Sequence, residues 1–268
     1  MQCLRRRPLS QPYTADFGKT AQDYATHRAG FPDRFFDEVQ ARGVALSGST
    51  LLDLGTGTGT LARGFAARDV TVTGLDIAPD ILAQARRLAA EAGLQNAVFA
   101  EGSAESTGQP SGHFDTVTAG QCWHWFDGEA ALAEVKRVLK PGGALVISHF
   151  DWLPLHGNLV EATEAMILKH SPDWPFGGGT GLYPAWTTGM ANAGFSGIET
   201  FSFDVDQIYT HEAWRGRIRA SAPIGGTLSP DKVAAFDAEH GAMMARDFPQ
   251  DPLPIRHRVW AVLGRAPI

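Results

Sequence analysis

Cysteine is scarce in this chain. Cys3 and Cys122 are the only two among 268 residues. Two such distant cysteines make no disulfide framework, which points to a reducing, cytoplasmic setting. No Cys/His spacing resembles a zinc site, so no metal is expected. Excess positive charge is also missing: 23 Lys+Arg stand against 29 Asp+Glu, a formal net charge of −6. A dedicated nucleic-acid binder normally carries a basic stripe, so a small-molecule partner fits better. No apolar run approaches the ~18 residues of a membrane span. The start, Met1-Gln-Cys-Leu-Arg-Arg-Arg-Pro8, has charge but no apolar run behind it, unlike a signal peptide. Oligomeric state has no signature here.

What is present is apolar enough, at 44 %, to bury a core. Residues 1–16 read as a flexible tail and 17–268 as one domain. A short helix from Phe17 to Arg28 and a second from Pro32 to about Arg42 come first. From Thr50 strands and helices alternate. Strands are expected at 50–54, 70–75, 97–100, 114–119 and 144–148, with helices at 59–68, 79–92 and 127–139 between them. This alternation implies an α/β fold with a doubly wound, mostly parallel sheet. The remainder is less regular. Phe195–Val205 and Ile255–Leu263 look like strands; 212–220 and 230–246 look helical. Segments 151–194 and 206–253 read as helical lid insertions on the substrate side of the same sheet.

The chemistry concentrates at Asp53-Leu-Gly-Thr-Gly-Thr-Gly59. A buried strand runs into three glycines and then a helix. Glycines permit positive φ and close approach of a ligand to the backbone. The helix start adds free N–H groups at the strand's carboxyl end. A dinucleotide fingerprint, G-x-G-x-x-G, would place its third glycine at residue 60, which is Thr60. The spacing here is G-x-G-x-G. About 20 residues on, the second strand stops at Asp76, where a carboxylate can take both hydroxyls of a ribose. A helix N-cap before Pro79 is the bland alternative.

The strings Leu51-Leu-Asp-Leu-Gly-Thr-Gly-Thr-Gly59 and Gly74-Leu-Asp-Ile77 resemble the first two motifs of the class I S-adenosylmethionine (SAM)-dependent methyltransferases. Glu101-Gly-Ser-Ala-Glu105, Phe114-Asp-Thr-Val-Thr-Ala119 and Leu139-Lys-Pro-Gly-Gly143 continue the likeness in order. The resemblance implies a seven-stranded sheet with an antiparallel last strand. It implies SAM as cofactor and S-adenosylhomocysteine as product. By position, Asp53, Gly55, Thr56, Gly57 and Gly59 would surround the methionine part, and Asp76 would hold the ribose. Ile77, Ser103, Ala104 and Glu105 would meet the adenine, and Ala119 and Gln121 would line the cofactor from strand four. Tyr24-Ala-Thr-His-Arg28, within the helices at 17–45, resembles a segment that covers the cofactor. There Tyr24 and Arg28 would bind, Arg28 pairing the methionine carboxylate or forming a solvated face.

Methyl transfer from a sulfonium needs positioning and, for a protic acceptor, a base. Gly120-Gln-Cys-Trp-His-Trp-Phe-Asp127 follows strand four at the ligand edge. His124 is the candidate general base, or else a structural residue. Trp123 is a candidate pocket wall or sulfonium neighbour. His149, Trp152 and Arg215 are candidate acceptor contacts. Arg215, with Arg217 and Arg219, would suit a carboxylic acid, or form a solvated helix face. Two other functions stay open on these motifs: a SAM-binding regulator without catalysis, and a nicotinamide-dependent oxidoreductase.

Overall fold

Phe35, Phe36 and Val39 form one apolar stripe on helix α1 (Asp33–Ala41). The computed structural model describes residues 30–268. Alternation then proceeds as the sequence predicts: β1 (Thr50–Leu54), α2 (Thr60–Ala66), β2 (Thr71–Asp76), α3 (Pro79–Glu91), β3 (Ala97–Glu101) and β4 (Phe114–Gly120). Local signals explain the boundaries. Proline opens α3 and Gly93, at φ 70°, follows its end. Asp127 caps α4 (Gly128–Val138) by accepting from the backbone N–H groups of Glu129 and Ala130, each at 3.2 Å.

Later elements depart from the sequence reading in length. β5 runs from Leu139 to Trp152, so it takes in the Lys140–Gly143 turn that the sequence places before the strand. The pairing register with β4 shifts at that point, between Phe114 and Thr116. Helices α5 (Leu159–His170) and α6 (Ala185–Asn192) occupy a stretch the sequence leaves irregular. β6 (Ser196–Tyr209), α7 (His211–Arg219), α8 (Pro230–Asp247) and β7 (Leu253–Arg265) complete the described residues.

One seven-stranded, mostly parallel sheet results, in the order β3-β2-β1-β4-β5-β7-β6. The chain builds outward from β1 through β2 to β3, then crosses to β4 on the other side. β1 therefore pairs in parallel with both β2 and β4. Leu54 is level with Leu75 on one side and Ala119 on the other. Gly55, Asp76 and Gly120 thus leave the sheet at one edge, at the switch point where open α/β sheets bind ligands.

Each sheet face has its own core. Leu51, Val72, Val146 and Phe150 belong to a cluster with Phe35, Phe36, Phe65 and Phe99. Leu52, Leu54, Leu145 and Ile147 belong to another with Leu132, Val135, Trp123 and Trp260. The described residues divide into two compact units. One comprises residues 30–151, 181–205 and 257–268; the other comprises residues 152–180 and 206–256. In the second, buried Trp214 donates its indole N–H to Thr163 Oγ1, which also lies 3.1 Å from His240 Nε2. Burial pushes that imidazole down to about 4.

Phe65 anchors α2 behind the glycine loop. It is 0 % exposed, with its ring 4.9 Å from that of Phe36. Phe65→Ala is expected to cost about 3–5 kcal/mol, measured by urea unfolding.

Candidate active site

Three glycines turn the chain out of β1 with φ of 59° at Gly55, 57° at Gly57 and 78° at Gly59. Gly55 is confined as well: a Cβ there would stand 2.9 Å from the Cβ and Sγ of Cys122. The loop can therefore lie directly on the segment after β4. The Cys122 thiol, buried and free of disulfides, donates to Leu54 O at 3.1 Å.

Asp53 sits beneath this loop. It is 1 % exposed and accepts from Thr56 Oγ1 at 2.6 Å and Thr118 Oγ1 at 2.7 Å. Burial pushes its carboxyl up to about 6, against the pull of those two hydroxyls. Asp53 thus grips the loop through Thr56 and ties it to β4 through Thr118. The Thr56 side chain in turn is buried and turned toward Asp53.

Asp76 ends β2 at the loop's rim. Its Oδ2 accepts from Gly57 N–H at 2.9 Å and its Oδ1 from Ala78 N–H at 3.0 Å. The N-cap role that the sequence offered as an alternative is not realised: Ala78 is itself the N-cap of α3, which has no side-chain cap bond. Ile77 beside it is 77 % exposed. After β3, Gly102 N–H donates to Asp76 O at 3.1 Å, bringing the next segment alongside. There Ser103 Oγ accepts from Ser106 N–H at 3.2 Å, Ala104 is buried, and Glu105 Oε1 accepts from Asp127 N–H at 3.0 Å. From β4, Ala119 is fully buried. Gln121 adopts φ 59°, donates its N–H to Ser148 O at 2.8 Å and its side-chain amide to Phe150 O.

Beside this glycine-loop group lies a second one. Trp123 is buried against Phe126, and His124 is exposed with its ring 4.7 Å from Trp125 and 5.4 Å from His149. His149 is buried, and its Nδ1 lies 3.3 Å from Asp151 Oδ1. Asp151 Oδ2 accepts from the Tyr183 hydroxyl at 2.6 Å. Burial alone would raise the Asp151 carboxyl; His149, the Tyr183 hydroxyl and the His124 charge outweigh it and hold the group below its usual range. Tyr183 and Trp186 stack at 4.3 Å and 4°.

Residues 51–143 match the methyltransferase domain family. An uncharacterised methyltransferase of Mycobacterium bovis is 32% identical over 145 residues, covering 54% of each chain. A ubiquinone biosynthesis O-methyltransferase of Xanthomonas campestris is 29% identical over 189 residues, 69% of this chain and 76% of that one. A solved structure from Anaeromyxobacter dehalogenans, described as a candidate type II methyltransferase, superposes with a TM-score of 0.66 at 22% identity. It covers 90% of this chain and 99% of that one, and shows the fold.

Residues 51–143 of this chain are thus a methyltransferase domain.

The chain spans about half the length of the mycobacterial relative. The residues singled out from sequence are distributed unevenly. Asp53, Gly55, Thr56, Gly57, Gly59, Asp76, Ile77, Ser103, Ala104, Glu105, Ala119 and Gln121 all belong to the first unit, as do Trp123, His124 and His149. Trp152 and Arg215 belong to the second unit. There Trp152 Nε1 donates to Glu164 at 2.8 Å, and Arg215 is paired with Asp237 and lies 3.3 Å from Glu212. Arg219 shares Asp237 at 2.9 Å, so this basic cluster is largely neutralised within its own unit. Tyr24 and Arg28 lie outside the described residues. Among the described residues, no group of three His, Cys, Asp or Glu could hold a metal, and no helix is long and apolar enough to cross a membrane. Sequence reasoning missed Thr118, Tyr183 as partner of Asp151, and Cys122. Thr118 and Cys122 lie on or just after β4, but Tyr183 is 32 residues from its carboxylate, beyond any local pattern.

Asp53 makes a pH-dependent prediction. Its folded value, about 6, lies above that of an unfolded aspartate, about 4. Its contribution to stability is therefore complete below about pH 4 and is lost as pH rises through about 6. Relative to Asp53→Asn, wild-type stability should fall by roughly 3 kcal/mol between those limits, measured by urea unfolding at each pH. A gap independent of pH would contradict the buried, raised carboxyl.

Proposed function

We propose that this protein transfers a methyl group from SAM to a small-molecule acceptor, on oxygen or nitrogen. The observation that carries the reading is the Asp76 carboxylate. Its two oxygens meet the backbone N–H groups of Gly57 and Ala78. A carboxylate has about four lone-pair sites, so two remain for paired hydroxyls. That donor demand fits a ribose. Exposed Ile77 offers apolar surface for an adenine beside it. The Ala104 N–H suits an adenine edge, and the left-handed glycines allow the methionine portion to approach the backbone.

When bound, SAM supplies a methyl group on a sulfonium, an already activated leaving group. The protein's residues position the acceptor and exclude water. Asp53 and Thr118 hold the loop rigid from below. Trp123, Phe126 and Trp186 give an apolar wall on which a small acceptor can lie. Oxygen as the methylated atom finds support in the Xanthomonas relative, which is named an O-methyltransferase. A cytoplasmic setting agrees with the scarcity of cysteine.

Calorimetry with SAM tests the reading. Wild type is expected to bind. Asp76→Ala should weaken binding about 100-fold, because two charge-assisted hydrogen bonds are lost. No binding by the intact chain, or no weakening in the variant, would overturn it. A mass-resolved methyl-transfer screen over metabolite extracts identifies the acceptor; tight SAM binding without any transfer would favour a regulator instead.

A further inference from the structure

β5 outruns β4 at the ligand edge. Ser148 is level with Gly120, the last residue of β4, and β5 continues to Trp152. Strand residues alternate faces. Ala144, Val146 and Phe150 belong to the cluster on one face, and Leu145 and Ile147 to the cluster on the other. His149 and Asp151 continue the second series, onto the face where Tyr183 and Trp186 pack.

The His149 ring is enclosed by Tyr183 at 4.2 Å, Trp186 at 5.0 Å and His124 at 5.4 Å. Its side chain is 4 % exposed. Asp151 is the carboxylate at its Nδ1, and the Tyr183 hydroxyl fixes that carboxylate. His124 is the other titratable group that faces the pair. An ionised carboxylate only accepts, so Nδ1 must carry the proton. A neutral imidazole then has its lone pair on Nε2. That atom is buried and has no hydrogen-bond partner among the described residues. Buried polar atoms are normally satisfied, so this lone pair awaits a donor.

A groove of about 620 Å³ lies on the far side of two of these rings. Trp123, His124, Phe126, Leu132 and Trp186 line it, and two of them, His124 and Trp186, are rings that enclose His149. Asp127, Glu129, Lys136 and Asn192 also border it, while its aromatic side chains offer flat apolar surface to an aromatic ring. A phenolic hydroxyl titrates near 10, within reach of an imidazole base, whereas an aliphatic alcohol is far beyond it.

We propose that His149 is a catalytic residue whose Nε2 takes the proton from a phenolic hydroxyl of the acceptor, with Asp151 and Tyr183 as positioning residues. The proposal rests on the methyl-transfer reading above. The acceptor's O–H bond breaks as its oxygen bonds the methyl carbon. The electron pair of the broken S–C bond stays on sulfur. The proton passes to Nε2, giving an imidazolium beside Asp151, and leaves to water.

The test uses the full chain. Imidazole nitrogen NMR at pH 8, assigned with His149→Gln, should show His149 protonated on Nδ1 and bare on Nε2. Asp151→Asn should shift it toward the Nε2–H form. A wild-type His149 carrying its proton on Nε2 would overturn the proposal. For activity, a panel of mono- and dihydroxybenzenes serves as acceptor. His149→Gln should lower kcat at least about 100-fold, with SAM affinity by calorimetry within two-fold of wild type. Its residual rate should climb with pH where wild type levels off. Tyr183→Phe should lower kcat less, with the wild-type pH profile displaced. Full kcat in His149→Gln with SAM bound overturns this proposal alone, and transfer to none of the panel overturns the phenolic class. No SAM binding by wild type overturns the methyl-transfer reading itself.

Discussion

A carboxylate placed where water cannot reach it governs the geometry of this protein's ligand edge. Asp53 ends up under the glycine loop because β1 is buried on both faces and its residues have no exposed side to turn to. Charge in such a place must be met by donors. Thr56 from the loop and Thr118 from β4 are those donors, so satisfying one buried group fixes the distance between two strands and a loop. Everything at that edge follows: Gly57 is presented to Asp76, Gly55 is pressed on Cys122, and the segment after β4 is held in place.

The edge then carries two separate kinds of polar work. On the β2 side, backbone N–H groups and Asp76 form an open set of partners suited to a nucleoside. On the β5 side, the polar atoms are turned inward among aromatic rings, with His149, Asp151 and Tyr183 linked in a row. The first set is half-buried, open to partners from solvent. The second lies in a poorly solvated surrounding, where each interaction is stronger and each unmet atom more costly. Segregating them on one sheet lets β4 and its extension serve both.

The first four strands and the helices between them were legible in the sequence because their signals are local. Leu51 to Gly59 is contiguous, Asp76 closes the next strand, and a periodic helix separates each pair of strands. Helix α3 announces both ends with Pro79 and Gly93. The rest was less legible for physical reasons. β5 absorbs Lys140–Gly143 through a register shift, which no single-strand pattern displays. α5 and α6 carry mixed faces that blur their period. His149 stood out only as a polar residue past a strand. Its partner Tyr183 and its wall Trp186 arrive from far along the chain, and only folding puts them against it. Arg215 illustrates the converse: the sequence showed a basic cluster, while its neutralising Asp237 lies on another helix.

Because β5 alternates its faces, His149 and Asp151 are reached from Ile147 in whole two-residue steps. One residue added or removed between Ile147 and Asp151 would carry the carboxylate to the face that holds Phe150, away from Tyr183. The end of this strand can exchange side chains one at a time, but it can change length only by even numbers. Parity, as much as residue identity, is thus what ties the imidazole row to its place.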